Sequence, residues 1–282
     1  MVALDGIGFA FARKWIAGRT AGEAILRAKE ANVIGEGAIL NYLGEAYGKE
    51  RDVEKSVGRY LSLLPEMKSA RVIGSISVKP TQLGLLEGEA ELVRNCAKVA
   101  SAAGRLGYFV WVDMEEYRCV DATIRAYLAV LGRHRNVGVC LQAKLRRSLK
   151  DAERVMGMGG SVRIVKGAYT EPENLAYGGR NAVRRNYVAM MECCVGHRGA
   201  VMVATHDDYL TSAAIRLERR SGKRLQFGML NGIRPRLAKE LSDAGEDVNI
   251  YMPFGEEWAD YAVRRLREAG HAPLLLRSVF QG

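Results

Sequence analysis

Eight short apolar runs, each followed by a polar stretch, constrain this chain more than any other feature. They are 37–43 (GAILNYL), 70–79 (ARVIGSISVK), 108–115 (YFVWVDME), 136–143 (NVGVCLQA), 161–168 (SVRIVKGA), 200–206 (AVMVATH), 225–230 (LQFGML) and 247–255 (DVNIYMPFG). Most are rich in β-branched and aromatic residues, which suit a pleated strand. Between them, 87–103, 119–133, 148–158, 180–196, 208–221, 234–244 and 256–268 mostly carry apolar residues at three- and four-residue spacing, the helical pattern. Strand–helix alternation requires parallel pairing with crossover helices. Eight such units in 282 residues fit an α/β fold of the (β/α)8 TIM-type barrel. An open doubly wound sheet is the alternative, but no G-x-G-x-x-G follows the first strand. Residues 9–32 read as an extra helix, so 1–36 form an N-terminal helical extension and 37–282 the barrel domain.

A barrel concentrates chemistry at the C-terminal ends of its strands, and polar side chains gather there. The second run ends in Lys79, the third in Asp113 and Glu115, and the fourth in Gln142. The fifth holds Arg163 and Lys166, the sixth ends in Thr205, His206 and Asp207, and the eighth contains Tyr251. One polar residue at a strand end is ordinarily solvated; a barrel would bring all of these to one mouth. Arg163 is the exceptional case, because it interrupts an apolar run. A buried cation costs several kcal/mol unless it meets an anion or strong acceptor.

Past the eighth run, the predicted helix carries Tyr261, Arg264, Arg265 and Glu268. Arg264 and Glu268 are i,i+4 partners, and on spacing alone tandem arginines are ordinary surface charge. The functional reading is a paired-guanidinium grip on a carboxylate, with Tyr251 and Tyr261 walling an apolar pocket.

Composition narrows the classes. Hydrophobic residues make up 48% of the chain, enough for a large core. The net charge of +10 suits anionic partners such as phosphate cofactors, acidic lipid or nucleic acid. Nucleic-acid binding would call for basic clusters interleaved with aromatics, whereas aromatics are 7% and the basic residues are dispersed. Five cysteines without a C-x-x-C pair argue against a disulfide scaffold or zinc ribbon and fit a reducing cytosol. The four histidines lack metal-ligand spacing, so no metal is expected. The N-terminal twenty residues hold no spanning run and no convincing signal peptide.

Several motifs together resemble the proline dehydrogenase (proline oxidase) family of flavoenzymes. They are NYLGEAY, SVKPTQLG, DMEE, LQAKLRRS, VRIVKGAY, ATHD, YMPFGEEW and YAVRRLRE, in the family's order from about residue 8 to the C-terminus. The resemblance implies a distorted (β/α)8 barrel and FAD, rather than FMN, as cofactor. It implies oxidation of L-proline to Δ1-pyrroline-5-carboxylate by hydride transfer from C5 to flavin N5, the first step of proline catabolism. By that resemblance Lys79, Arg264 and Arg265 bind the proline carboxylate, while Tyr251, Tyr261, Leu230 and Tyr169 surround its ring. Asp113 orients the site, and Arg163 lies beside flavin N5. Gln142, Arg163, Val165, Lys166, Gly167, Ala168, Thr205, His206 and Glu268 hold the cofactor. The implied acceptor is a membrane quinone, the implied location cytoplasmic with peripheral contact at the inner face of the membrane, and no nucleic-acid partner is implied. With no DNA-binding region or aldehyde dehydrogenase domain attached, the short monofunctional type is expected; the oligomeric state stays open.

The chain departs from the family pattern at four positions. Asp207 replaces the asparagine of THN, and a carboxylate there would repel a dinucleotide phosphate unless it points away or contacts ribose. Lys144 stands where a tyrosine is usual, Gly228 where a glutamine is expected, and Thr170 where some members carry tryptophan. The alternatives are another flavin barrel, such as a methylenetetrahydrofolate reductase, and a barrel that has lost catalysis and kept a binding role.

Overall fold

The computed structural model describes residues 9, 12–259, 261 and 262. Strands β1 (Gly37–Tyr42), β2 (Gly74–Val78), β3 (Phe109–Val112), β4 (Val137–Gln142), β5 (Ser161–Val165), β6 (Val201–Ala204), β7 (Gln226–Leu230) and β8 (Asp247–Phe254) pair in sequence order. All pairings are parallel, and β1 against β8 closes the barrel. Each strand lies within its predicted run. Helices Glu89–Leu106, Tyr117–Leu131, Ser148–Gly157, Arg180–Val195, Asp208–Ser221 and Pro235–Asp243 follow the predicted segments to within a turn. The helix between β1 and β2, Glu50–Ser69, is not named by the sequence reading. Its buried stripe of Val53, Val57, Tyr60, Leu64 and Met67 has helical spacing, but Pro65 interrupts the pattern. The predicted final helix, 256–268, lies mostly outside the described residues.

The extra N-terminal helix is shorter than the 9–32 expected: it is Ala21–Val33. Thr20 ends the preceding loop, since its side chain accepts from Glu23 N–H while the Glu23 carboxylate accepts from Thr20 N–H. The approach to this helix lies beside the end of β8, where Ala17 N–H donates to the Pro253 carbonyl at 2.7 Å. Its far end lies at the start of β2, where Asn32 donates to the Ile73 carbonyl and accepts from Ile73 N–H, both at 2.8 Å. The helix therefore runs antiparallel to β8 and β1, packed on both. That is the slot an eighth crossover helix would occupy. Ala21, Ala24, Ala28 and Ala31 bury there, and their small size lets the helix approach closely.

With that slot filled, Trp258 and Ala262 after β8 belong to a different cluster. Ala12, Trp15, Ile16, Leu43, Ile233 and Ala262 form it, with Phe9, Leu230, Trp258 and Tyr261 packed against it. Leu43 and Leu230 stand at or just past strand C-termini, so this cluster covers the barrel mouth.

Inside the barrel, register partners share a face. Ile39 neighbours Tyr251, Ser77 neighbours Trp111, and Cys140 neighbours Arg163, which neighbours Met202. Small residues leave room for large ones: a Cβ on Gly138 would collide with the Trp111 ring. Replacing Ala28 with leucine should lower the unfolding free energy by about 1–3 kcal/mol through overpacking. Leu26→Ala, on the exposed side of the same helix, should change it by less than about 0.5 kcal/mol. Urea unfolding midpoints of the two variants check this.

Candidate active site

Arg163 of β5 points into the barrel and is 3% exposed. Its Nη2 donates to Asp113 Oδ1 and to Ser77 Oγ, the latter at 2.9 Å. Its Nε donates to Cys140 Sγ at 2.7 Å. The guanidinium carbon lies 5.5 Å from the centre of the Trp111 ring and 5.3 Å from that of Tyr251. Nη1 is buried and has no hydrogen-bond partner among the described residues. The cation that interrupts the apolar run thus meets a carboxylate, a hydroxyl, a thiol and two aromatic faces.

Asp113, one residue past β3, is the anionic centre. It accepts from Arg163, from the Tyr251 hydroxyl at 2.9 Å and from Ser77 Oγ at 2.9 Å. Burial alone would push its carboxyl up, but Arg163, Lys79 and the two hydroxyls outweigh burial and hold it below the usual carboxylate range. Burial drives the Tyr251 hydroxyl far up, so it stays protonated and donates.

Lys79 caps a 3-10 turn, Pro80–Leu83, after β2. Its Nζ lies 3.6 Å from Glu45 Oε2. Burial works against its charge, but the negative Asp113 and the neighbouring Tyr169 and Glu115 raise it, so Lys79 is a cation. Glu115 accepts from Thr81 N–H and Thr81 Oγ1, both at 2.8 Å, and burial pushes its carboxyl up. Burial also pushes the Tyr169 hydroxyl to about 12. Lys79 and Arg163 each face a carboxylate, Glu45 and Asp113, so two cations sit under the mouth, each beside its own counter-charge.

Farther along the rim, Lys166 Nζ donates to Asp207 Oδ2 at 2.5 Å. Arg184, on helix Arg180–Val195, grips the same carboxylate through Nε at 3.0 Å and Nη2 at 2.6 Å. Asp207 is therefore turned onto two cations. Burial opposes its ionisation, but these hydrogen bonds hold its carboxyl well below the usual range. Asp207 also caps helix Asp208–Ser221 by accepting from Tyr209 N–H.

Other candidate residues line the same rim. Gln142 Nε2 donates to the Glu115 carbonyl at 2.8 Å. Val165 and Ala204 are register partners, as are Ala204 and Gly228. A Cβ at Gly228 would lie 3.0 Å from Ala204 Cβ and 3.1 Å from Met202 Sδ, so a larger side chain there forces its neighbours to move. Gly167 has φ +104°, and a Cβ there would meet Gln142 Oε1 at 2.9 Å, so this position requires glycine. Ala168 is exposed beside it. Thr205 Oγ1 accepts from Asp207 N–H, while His206 Nε2 accepts from Leu230 N–H at 3.0 Å and thereby ties β6 to the end of β7. Leu230 and Tyr261 sit in the mouth cluster.

Asp113, Arg163, Tyr251 and Lys79 converge as one site; Lys166, Gly167, Thr205 and His206 form its β5–β6 side. Arg264, Arg265 and Glu268 lie outside the described residues. Sequence reasoning missed Ser77, Trp111, Cys140 and Arg184. The first three share Arg163's inward face by register, and strand alternation was the signal that could have found them. Arg184 sits on a helix face and carried no such signal.

Asp207→Asn should lower the unfolding free energy at pH 7 by about 1.5–3 kcal/mol, the value of hydrogen bonds to a charged group. The folded-state pKa of Asp207 is depressed, so its contribution is present above the unfolded value near ~4 and fades as pH falls through the folded one. Stability curves of wild type and variant should converge toward acid pH.

A family model described as proline dehydrogenase matches residues 24–274. Proline dehydrogenase 1 of Bacillus subtilis strain 168 is 26% identical over 274 residues, covering 96% of this chain and 91% of the relative. Proline dehydrogenase of Deinococcus radiodurans is 29% identical over 280 residues, covering 96% and 90%. Among solved structures, proline utilization A from Bdellovibrio bacteriovorus, inactivated by N-propargylglycine, superposes with a TM-score of 0.87 at 22% identity. That match covers 96% of this chain and 34% of the other, so the chain spans about a third of that protein. At this identity the superposition shows the barrel fold.

Proposed function

We propose that this chain, which belongs to the proline dehydrogenase family, oxidises L-proline to Δ1-pyrroline-5-carboxylate with FAD as the electron acceptor in its site, as the first step of proline catabolism. Family membership makes it an oxidoreductase acting on proline; the cofactor, the atoms and the residue roles are the proposal. FAD, when bound, takes the hydride that leaves proline C5 at its N5. On the substrate, the C5–H bond breaks, the nitrogen lone pair closes a C5=N bond, and the N–H proton goes to solvent.

The observation that carries this reading is Arg163: a fixed, buried cation with one nitrogen donor lacking a partner among the described residues. A buried donor left without an acceptor costs about 1–3 kcal/mol, so the cation is held here at a cost that a structural ion pair alone does not explain. Arg163 then stabilises negative charge as electrons arrive. Asp113 keeps the guanidinium from turning, and Tyr251 completes the pocket wall with Leu230, Tyr261 and Tyr169. Lys79, with Arg264 and Arg265, anchors the carboxylate and so fixes C5 in place. Lys166, Gly167, Ala168, Val165, Gln142, Thr205, His206 and Glu268 hold the cofactor. The mouth cluster of Trp15, Leu43 and Trp258 excludes water.

Electrons leave the protein to a membrane quinone in this reading. No described helix is long and apolar enough to cross a membrane, and the contact proposed is peripheral, on the cytoplasmic side, favoured by the basic surplus.

Arg163→Met should slow proline-dependent reduction of an artificial acceptor at least tenfold with little change in the proline KM. Lys79→Met, Arg264→Met and Arg265→Met should each raise that KM at least tenfold while flavin content holds, since removing one partner of a desolvated charge pair costs ~2–5 kcal/mol. Steady-state kinetics separate the two classes; equal KM in all four variants contradicts the assignment. Because only the neutral amine can release hydride, the limiting rate should rise with pH until the bound amine has lost its proton.

A further inference from the structure

The Arg163 guanidinium has three nitrogens, and this barrel treats each differently. Nη2 is held by Asp113 and by Ser77 Oγ at 2.9 Å. Nε is held by Cys140 Sγ at 2.7 Å. Nη1 is left without a partner among the described residues. Ser77 and Cys140 also close on the carboxylate: Ser77 Oγ donates to Asp113 Oδ1 at 2.9 Å, and Cys140 Sγ lies 3.6 Å from the same oxygen. Trp111 and Tyr251 hold the two sides of the group. An arginine meeting one carboxylate oxygen through one nitrogen can still rotate about its last bonds. Bonds on Nε and Nη2 from two strands fix its plane and leave the buried Nη1 without a hydrogen bond among the described residues.

We infer that Ser77 and Cys140 are positioning residues for the reaction: they lock the Arg163 guanidinium in one orientation, so that its charge is held fixed toward the electron acceptor. Both side chains are neutral. Burial pushes the Cys140 thiol up to about 12, so it accepts from Arg163 without cancelling its charge. A carboxylate at either position would give the guanidinium a second counter-ion and weaken the field it offers. Their size matters too, because a larger side chain at 77 or 140 would fill the space that Trp111 and Arg163 share. The inference rests on the flavin reading of the site and concerns residues to which that reading assigns no role.

The test uses full-length, flavin-loaded protein and the variants Ser77→Ala, Cys140→Ala and Cys140→Ser. Two quantities are read: the limiting rate of anaerobic flavin reduction as proline is raised, and the midpoint potential of the bound flavin. Ser77→Ala and Cys140→Ala should each lower the limiting rate at least tenfold, with half-saturating proline within twofold of wild type. Each should make the potential more negative by about 30 mV, the two-electron equivalent of a tenfold loss. Cys140→Ser, which restores a neutral acceptor, should recover most of both. Variants that melt earlier but keep the wild-type rate and potential would make these residues packing groups only and overturn the inference. A wild-type protein that takes up no flavin would overturn the functional reading itself, and is told apart by that one observation.

Discussion

The ion pair between Arg163 and Asp113 lies at the centre of the barrel, and the arrangement around it follows from its burial. A charge removed from water needs a counter-charge and hydrogen bonds, and here all but that of Arg163 Nη1 are supplied among the described residues. Asp113 supplies the charge; Ser77, Cys140 and Tyr251 supply the bonds. These residues come from β2, β4, β5 and β8 and the end of β3, so the pair also fixes the relative height of those strands. Ser77, Gly138 and Cys140 are small because the large groups, Trp111, Arg163 and Tyr251, occupy the same interior. Charge burial and barrel packing are one problem here, met by the same side chains.

A second constraint acts from outside. The alanine-faced helix Ala21–Val33 covers β8 and β1, where the last crossover helix would otherwise pack. The chain after β8 is thereby available to the mouth, where Trp258, Tyr261 and Ala262 join Leu43, Leu230 and Ile233. In a regular barrel the final helix stabilises the wall; here its first residues cover the opening.

The barrel was legible because strands buried on both faces read as continuous apolar runs, and each run had one place to pair. The convergence of Lys79, Asp113, Arg163 and Tyr251 was legible because the fold rule sends strand ends to one mouth. The helix Glu50–Ser69 was not, because Pro65 breaks its pattern while tertiary packing of Tyr60 and Leu64 holds it. Nor could sequence show that Asp207 is turned onto Lys166 and Arg184: the second cation sits on a helix 23 residues away, and only the fold brings it near. The break before Ala21 was legible in principle, since Thr20 and Glu23 form a capping box, but the apolar residues on either side run together.

The central claim is that proline delivers its electrons to a flavin held over Arg163. The measurement that tests it most directly is the visible spectrum of the purified protein under anaerobic conditions, before and after addition of L-proline. The account predicts flavin bands that bleach on addition of L-proline and persist with D-proline or buffer. Flavin bands indifferent to L-proline would contradict the proposed substrate. A protein that stays colourless after incubation with FAD would contradict the cofactor.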